Sequence, residues 1–449
     1  TMDTTIVNIA LPKIHVSLGG TFSLLQWIFD AYLLVLASFL LFSGALADRV
    51  GHKKIFMLGL VLFGGSSGLC ALANSPLQLI LLRALQGLGG SMLNPVAMSI
   101  LTDVFVKHKE RAQAIGIWGS VSGISLAAGP IIGGFLVNFW GWRSIFLVNV
   151  PIALVALGLT SHFVSGSQKT KGRPWDTWGQ ISMIIFLGLL TILLIELPNF
   201  TNQLFPLGIV LLLIMDLFLF LIREKRVKYP LINLRYFKSI PFTTASLLAI
   251  CGFTIFNGFL FLNTIYLQNV IGLKPLMAGV YTLPLALICF ITAPISGKII
   301  GNYGTKVPML LCGIGMLMST ICIFFSKTTI GWPVWLAYIF LGIGFGMLNS
   351  PITITAVSGM PASEVGVAAA IPVTCKQIGS SLGIALPSAL SSLGTLNISS
   401  TKPSTLLNAI NSNWLFFSIF GGVIIAFALY SHTKKAANSA KKIQQTFTS

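Results

Sequence analysis

The sequence predicts an all-α, polytopic membrane protein in which two pseudo-symmetric six-helix bundles accompany two further transmembrane helices. Apolar residues make up 55% and charged residues only 8% of the 449 residues, whereas soluble domains carry about 25% charged residues. Apolar stretches long enough to cross a bilayer, roughly 20 residues each, recur along the chain. In addition, two motifs of the first half recur in the second half. These three observations carry the prediction.

Hydropathy in a window of about 19 residues places fourteen spans along the chain. They lie near residues 1–17, 25–47, 55–74, 77–101, 111–138, 144–164, 177–197, 204–223, 241–269, 276–300, 307–327, 332–357, 364–393 and 411–432. Lys and Arg are retained in cytoplasmic loops, and most of the 28 basic residues lie on the side that contains both termini. We therefore expect cytoplasmic termini. The net charge of +18 follows from this topology and predicts no binding of nucleic acid.

An internal repeat predicts the division into domains. The segment GALADRVGHK at 44–53 recurs as GKIIGNYGTK at 297–306, and GLGGSMLN at 87–94 recurs as GIGFGMLN at 342–349. The alternative is a chance likeness between glycine-rich membrane helices. The repeat predicts a six-helix bundle at 1–164, two inserted helices with their loops at 165–240, a second bundle at 241–432 and a basic cytoplasmic tail at 433–449.

The chain has only ten acidic residues, and one of them, Asp3, lies inside the first span. A charged side chain near the bilayer centre costs about 2.5–3.5 kcal/mol or more and usually has a function. Counting back from Gly19 places Asp3 about 24 Å from the outer boundary, mid-membrane or slightly toward the cytoplasm. Low-dielectric surroundings favour the protonated form of a carboxyl group, which then releases its proton when water or a cationic ligand arrives. Asp3 is therefore the first candidate for a proton carrier.

Two further ionisable residues are candidates for proton coupling. Asp30 is expected near the outer edge of the second span, as a second titrating group or as an interfacial acid. Arg83 is expected about two turns inside the outer end of the fourth span, where an unpaired guanidinium is costly. We expect Arg83 to pair with Asp30 or with a nearby carbonyl group. A purely structural ion pair is the alternative.

Five motifs follow one another in the first half of the chain. They are DTTIVNIALP at 3–12, GALADRVGHKK at 44–54, RALQGLGG at 83–90, AAGPIIGG at 127–134 and GWRSIFLVNVP at 141–151. Together they resemble the fourteen-helix drug:proton antiporters of the major facilitator superfamily, which include staphylococcal multidrug efflux pumps. The resemblance implies a monomeric bacterial plasma-membrane protein that exports lipophilic monovalent cationic or zwitterionic drugs by alternating access, in exchange for protons. An exporter or symporter of a single metabolite on the same fold is the alternative.

The resemblance also implies a conformational gate. Asp48 would bond to the other half of the protein, and the basic group after Gly51 would pair with Asp103. His52 stands where relatives often have arginine, which makes this pair weaker or sensitive to pH. The residues assigned to the gate are Gly44, Asp48, Arg49, Gly51, His52, Lys53, Asp103, Gly129, Pro130, Gly133 and Gly134.

The gate motifs can also be read without the resemblance. The glycines of the fifth span remove side chains from one helix face and Pro130 adds a bend, so a neighbouring helix can approach closely. Ordinary packing of small residues, and a solvated turn at 44–54, are the alternatives.

The second half differs because its spans contain no acidic residue beyond Glu364. This absence favours monovalent or zwitterionic substrates and proton coupling confined to the first half. Lys376 is expected to line the substrate cavity or to extend toward the cytoplasm. A multidrug site should be apolar and aromatic with few polar groups. The candidates are Asp3, Asn8, Gln26, Phe29, Gln86, Asn94, Trp118, Phe256, Asn257, Asn263, Tyr266, Lys376 and Gln377.

Other classes of protein are disfavoured by what the sequence lacks. It has no G-x-x-x-x-G-K-[ST] motif, which an ATP-driven pump requires. The five histidines lie at span ends or in loops, and the six cysteines lie in apolar runs, so neither a metal cluster nor an enzyme site is expected. We therefore expect a secondary active transporter without cofactor or metal, whose partners are drugs, protons and the lipid bilayer.

Overall fold

A computed structural model of the chain describes residues 2–105, 110, 114, 125, 128–164, 176–202, 204–227, 230–360, 365–391, 393 and 401–448. Within these residues the secondary structure is helical and contains no β-strand. The helices are α1 (Met2–Leu18), α2 (Phe22–Val50), α3 (His52–Ala71), α4 (Pro76–Val104), α5 (Ala128–Trp140), α6 (Ser144–Leu147), α7 (Asn149–Phe163), α8 (Thr177–Glu196), α9 (Leu204–Arg226), α10 (Ile240–Ile265), α11 (Pro275–Tyr281), α12 (Leu283–Tyr303), α13 (Lys306–Phe324), α14 (Trp332–Gly346), α15 (Asn349–Val357), α16 (Val365–Leu390), α17 (Pro403–Tyr430) and α18 (Lys434–Thr448).

The all-α polytopic prediction is confirmed. Each of the fourteen predicted spans overlaps a described helix, and ten helical segments are long and apolar enough to cross a membrane by length and composition. The span count of fourteen stays a prediction. One boundary was wrong, because the last span begins at Pro403 and not near residue 411. The basic tail forms a helix, α18.

Three predicted spans are each divided into two helices. The divisions fall at Val148, at Thr282 and at residues 347–348. Each lies within the four residues before a proline, namely Pro151, Pro284 and Pro351. A proline has no N–H to donate and its ring collides with the carbonyl group four residues earlier, so the helix ends before it.

The chain forms two compact units. The first comprises Thr1–Leu231 with Lys274–Val280, and the second comprises Ile232–Leu273 with Tyr281–Ser449. The two helices predicted as an insertion, α8 and α9, belong to the first unit. There Trp27 Nε1 of α2 donates to Glu196 Oε1 at 2.7 Å, and the Ser182 hydroxyl donates to Asp216 Oδ1 at 2.9 Å, which connects α8 and α9.

The internal repeat is visible in the packing of each unit. Gly51 ends α2 with a φ of +110°, and Gly304, its counterpart in the repeat, ends α12 with a φ of +75°. Both donate their N–H to the carbonyl group four residues earlier. A Cβ atom at Gly89 would lie 2.5 Å from a backbone nitrogen of α3, and one at Gly344 would lie 2.9 Å from a backbone nitrogen of α13. Each unit therefore needs glycine at the same close helix crossing.

Candidate functional site

Asp3 forms a buried ion pair with Arg83. Arg83 Nη1 of α4 donates to Asp3 Oδ2 at 2.7 Å, and the two side chains are 0% and 3% exposed. Arg83 Nε also donates to the Ile28 carbonyl oxygen at 3.2 Å. Of the two alternatives predicted for Arg83, the bond to a carbonyl group is present, and the acid in its ion pair is Asp3. Asp3 occupies that position because α1 brings its carboxylate against α4.

Two amide side chains complete the hydrogen bonds of this carboxylate. Asp3 Oδ1 accepts from Gln86 Nε2 at 3.1 Å and from Asn149 Nδ2 at 2.9 Å. The same two amide groups donate to the Ser67 hydroxyl oxygen at 3.2 and 3.1 Å, and Ser67 in turn donates to the Phe146 carbonyl. We call Asp3, Ser67, Arg83, Gln86 and Asn149 the Asp3 network. It joins α1, α3, α4 and α7.

Aromatic side chains shield the guanidinium group of this network. The Arg83 Cζ atom lies 4.3 Å from the centroid of the Tyr32 ring and 5.9 Å from that of Phe146. Arg83 Nη2 has no hydrogen-bond partner in the described part of the chain. A charged carboxylate only accepts hydrogen bonds, so the three donors around Asp3 suit its ionised form.

The depth of Asp3 in the membrane stays a prediction. Its partner Arg83 lies seven residues after the first residue of α4, about 10 Å along that helix, whereas α1 continues fifteen residues past Asp3, about 23 Å. In the last turn of α1, Val16 is exposed, with 74% of its surface accessible. α1 therefore extends beyond the level at which α4 begins.

The other polar and aromatic candidates of the first unit occupy different environments. Asp30, Gln26 and Phe29 are fully buried in α2. Asn8 is 2% exposed, and neither polar atom of its amide group has a hydrogen-bond partner among the residues that the structure describes. Asn94 is exposed on α4. Trp118 lies outside the described residues.

Most candidates of the second unit bond to neighbouring helices. Tyr338 donates its hydroxyl to Asn263 Oδ1 at 2.9 Å, and the Tyr266 hydroxyl donates to a backbone carbonyl at 2.8 Å. Asn257 Nδ2 of α10 donates to a serine hydroxyl of α16 at 3.0 Å. Lys376 and Gln377 are half-buried on α16. Phe256 stacks on a phenylalanine ring of α14 with a centroid distance of 3.6 Å.

The polar gate residues lie in and around the turn between α2 and α3. His52 Nε2 lies 3.0 Å from Asp48 Oδ1, and Lys53 Nζ donates to the Ser161 carbonyl of α7 at 2.8 Å. Gly44 faces α4, where an added Cβ would meet a proline side chain at 3.9 Å. Arg49 is half-buried in the last turn of α2. The predicted partner of His52, Asp103, has a side chain outside the described residues.

The glycines of α5 lie against two neighbouring segments. A Cβ at Gly129 would collide with the Thr5 side chain of α1, and one at Gly133 would lie 2.7 Å from Ile6 Cγ1. A Cβ at Gly134 would lie 2.6 Å from a carbonyl oxygen of α11, and the Pro130 carbonyl lies close to that segment as well. The close approach predicted from these glycines is present, and their role in a gate stays a prediction.

Sequence reasoning missed several members and neighbours of the Asp3 network. Asn149 lies within the quoted motif at 141–151, where a side-chain amide among apolar residues was the available signal. Ser67 sits among small residues of α3, and Tyr32 follows Asp30 by two positions. Neither of these two carried a comparable signal. In the part of the chain that is described, no group of three or more His, Cys, Asp or Glu residues could hold a metal ion.

Comparison with known proteins identifies the family. Residues 1–384 match the model of the Major Facilitator Superfamily. The chain is 33% identical to the multidrug resistance protein Stp of Mycobacterium tuberculosis over 387 residues, which is 86% of this chain and 72% of that protein. It is 34% identical to the tetracenomycin C resistance and export protein of Streptomyces glaucescens over 393 residues, with the same coverage of 86% and 72%.

A third relative and a solved structure complete the comparison. The riboflavin transporter RibZ of Clostridioides difficile is 29% identical over 97% of this chain and 96% of its own length. A bacterial homolog of the human lysosomal transporter Spinster, in an inward-facing and unoccupied conformation, superposes with a TM-score of 0.67 at 18% identity, over 98% of this chain and 95% of that chain. The chain therefore belongs to the Major Facilitator Superfamily, as a multi-pass membrane transporter and not an enzyme.

Proposed function

We propose that this protein is a proton-driven antiporter with fourteen spans and cytoplasmic termini that exports lipophilic monovalent cationic or zwitterionic drugs from a bacterial cell. The proposal rests on the buried Asp3 carboxylate, which accepts hydrogen bonds from Arg83, Gln86 and Asn149. The names of its relatives support drug export, since two of those compared are called resistance proteins. The coupling to protons rests on the chemistry of Asp3.

Protonation of Asp3 changes the energy of the whole network. A protonated carboxyl group has lost its charge and gained a donor hydrogen, so it no longer balances the guanidinium group of Arg83. Leaving a buried charge without its partner costs about 3–5 kcal/mol. A conformation in which Arg83 is solvated or finds another partner is then favoured. Uptake of one proton can in this way bias a two-state conformational equilibrium.

A cationic drug competes for the same carboxylate. The negative charge of Asp3 can balance an added cation, but only when no proton neutralises it. Drug and proton are therefore alternative ligands of Asp3, which is the requirement for exchange. Asp30, fully buried on α2, is proposed as the second titrating group of this unit.

The packing of α1 supports a route from this exchange to helix movement. Two residues of α1, Thr5 and Ile6, lie directly against Gly129 and Gly133 of α5. The tight contact leaves no space between the two backbones, so a displacement of Asp3 along α1 displaces α5 as well. Coupling between packed elements of this kind requires two discrete arrangements.

Proton-coupled efflux in everted membrane vesicles tests the proposal. Adding ethidium to energised vesicles should release protons from the acidic interior when the unaltered protein is present. Asp3→Asn should abolish ethidium accumulation and proton release while the protein remains folded, and Asp30→Asn should reduce both. Asp216→Asn is the matched control, because it neutralises a membrane acid that the proposal does not use. Full activity of Asp3→Asn would refute the mechanism.

Transport of a single metabolite is the second candidate. It is favoured by the likeness to the riboflavin transporter RibZ, which extends over 97% of this chain. The same vesicles distinguish the two functions when riboflavin replaces ethidium. Proton movement with riboflavin and none with ethidium would support this candidate against drug export.

A further inference from the structure

Lys376 is a cationic side chain at mid-helix in the second unit. It lies in α16, which packs against α10 and α15. Its Nζ atom donates to Asn349 Oδ1 at 2.9 Å and lies 5.7 Å from the centroid of the Phe253 ring. The side chain is only half-buried. Among the described residues, Lys376 forms no ion pair with a carboxylate.

The position of this ammonium group argues against extension toward a helix end. Lys376 and Phe253 lie eleven and twelve residues from the nearer ends of α16 and α10, and Asn349 begins α15, eight residues before the end of that helix at Val357. These separations correspond to about 12–18 Å along the helices. A lysine that extends to the interface would direct its ammonium group to a helix end. Here the ammonium group bonds sideways to a neighbouring helix.

The surroundings of Lys376 combine aromatic and amide groups. Phe253 meets Phe345 edge-on with a centroid distance of 5.3 Å, and Phe256 stacks on the same ring at 3.6 Å. One turn along α16, the Ser380 hydroxyl accepts from Asn257 Nδ2 at 3.0 Å. The ammonium group thus stands beside an aromatic wall and neutral polar groups, without a negative charge among the described residues.

We infer that Lys376 binds the carboxylate of an aromatic, zwitterionic substrate. The inference rests on the proposed drug export. A cation within a membrane protein is stabilised by a counter-ion, and Asn349 supplies only a neutral oxygen. A carboxylate on the ligand would provide the charge, and its aromatic rings would stack against Phe253 and the neighbouring rings. A substrate without an anionic group would gain nothing from Lys376.

Ligand pairs that differ only in the carboxylate test this inference. Binding of norfloxacin, its methyl ester and ethidium to the purified protein would be followed by intrinsic fluorescence. The unaltered protein should bind norfloxacin about tenfold or more tightly than the ester, because a charge-assisted hydrogen bond is lost. Lys376→Gln should remove this difference and leave ethidium binding within about twofold. Lys376→Arg should retain most of the difference in affinity between norfloxacin and its ester.

Control measurements distinguish a failure of this inference from unfolding of the variant and from a failure of the proposed function. Lys402→Gln, an exposed lysine before α17, should leave all three affinities unchanged, and retained ethidium binding shows that Lys376→Gln is folded. Equal affinity of the unaltered protein for norfloxacin and its ester overturns the inference, as does an unchanged difference in Lys376→Gln. If the unaltered protein exchanges ethidium for protons in vesicles but shows these results, only this inference fails. If it exchanges neither drug, the proposed function fails with it.

Discussion

The guanidinium group of Arg83 and the carboxylate of Asp3 lie 2.7 Å apart in the interior of the first unit, although eighty residues separate them in the chain. The two groups differ in how they respond to the loss of a partner. An aspartate becomes neutral by taking up a proton, whereas arginine stays charged at any ordinary pH. Of the two kinds of group, only a carboxyl group can therefore lose its charge at ordinary pH.

This difference predicts unequal effects of removing the two partners. Asp3→Asn leaves a buried guanidinium without a counter-ion and should destabilise the protein by about 3–5 kcal/mol. Arg83→Gln should cost less, because Asp3 can become neutral. The double variant should recover part of the stability but no proton-driven efflux. Unfolding midpoints of the purified protein in detergent, combined in a double-mutant cycle, measure the coupling. Strictly additive effects would contradict a direct interaction between the pair.

Asn149 should be required for the strength of the Asp3 network. Its amide donates to both Asp3 Oδ1 and the Ser67 hydroxyl. Asn149→Ala should reduce stability by about 1–3 kcal/mol, because a buried acceptor loses its donor, and should lower ethidium efflux. Asn138→Ala, at an exposed position of α5, is the control. The measurements are the unfolding midpoint and the initial rate of efflux. If the two variants had equal unfolding midpoints and equal efflux rates, Asn149 would not contribute to the strength of the Asp3 network.

Some of this arrangement is accessible from the sequence. Long apolar runs locate the helices because every backbone polar group must bond within its own segment in lipid. The need of Arg83 for a counter-ion is also predictable, since a lone guanidinium in an apolar span is costly. The identity of the acid is not, because neither the rotation of α1 nor its displacement relative to α4 is encoded in hydropathy.

Helix boundaries at prolines are likewise only partly predictable from the sequence. Pro151, Pro284 and Pro351 follow breaks in the helix, whereas Pro12 and Pro95 lie inside continuous helices. The local effect of proline is the same at each position. Whether the helix ends depends on whether neighbouring helices support the strained turn, which is a property of packing and not of the local sequence.

The C-terminal helix should stabilise the beginning of α10. The backbone N–H of Ile240 donates to the Ser439 hydroxyl oxygen of α18 at 3.0 Å, and Ile443 is 4% exposed. Ser439→Ala should cost about 0.5–2 kcal/mol, as the loss of a helix cap does, and should accelerate cleavage of α18 by trypsin. Lys435→Gln, an exposed position on the same helix, removes a charge without removing this bond. It should not loosen the helix, so faster cleavage elsewhere along α18 in that variant would contradict the assignment.

The contact between α1 and α5 can be tested by comparing a glycine that is tightly packed against its neighbours with one that has open space around it. A Cβ at Gly133 would lie 2.7 Å from Ile6 Cγ1 and 3.1 Å from the Ile6 carbonyl oxygen, while one at Gly158 of α7 would meet no atom within 4 Å. Gly133→Ala should therefore force α1 away from α5, with a cost of about 1–3 kcal/mol from overpacking. Gly158→Ala should be neutral or stabilising by up to about 1 kcal/mol, because alanine favours the helix.

Measuring efflux separates an effect of the α1–α5 contact on transport from its effect on stability. Because Asp3 and Ile6 share one helix, a displaced α1 also shifts the carboxylate relative to Arg83. Gly133→Ala should then lower the rate of proton-coupled ethidium efflux at temperatures where the variant is fully folded, and Gly158→Ala should not. A Gly133→Ala variant with reduced stability but unaltered efflux would show that α5 only supports α1, and that the exchange at Asp3 proceeds without movement at this contact.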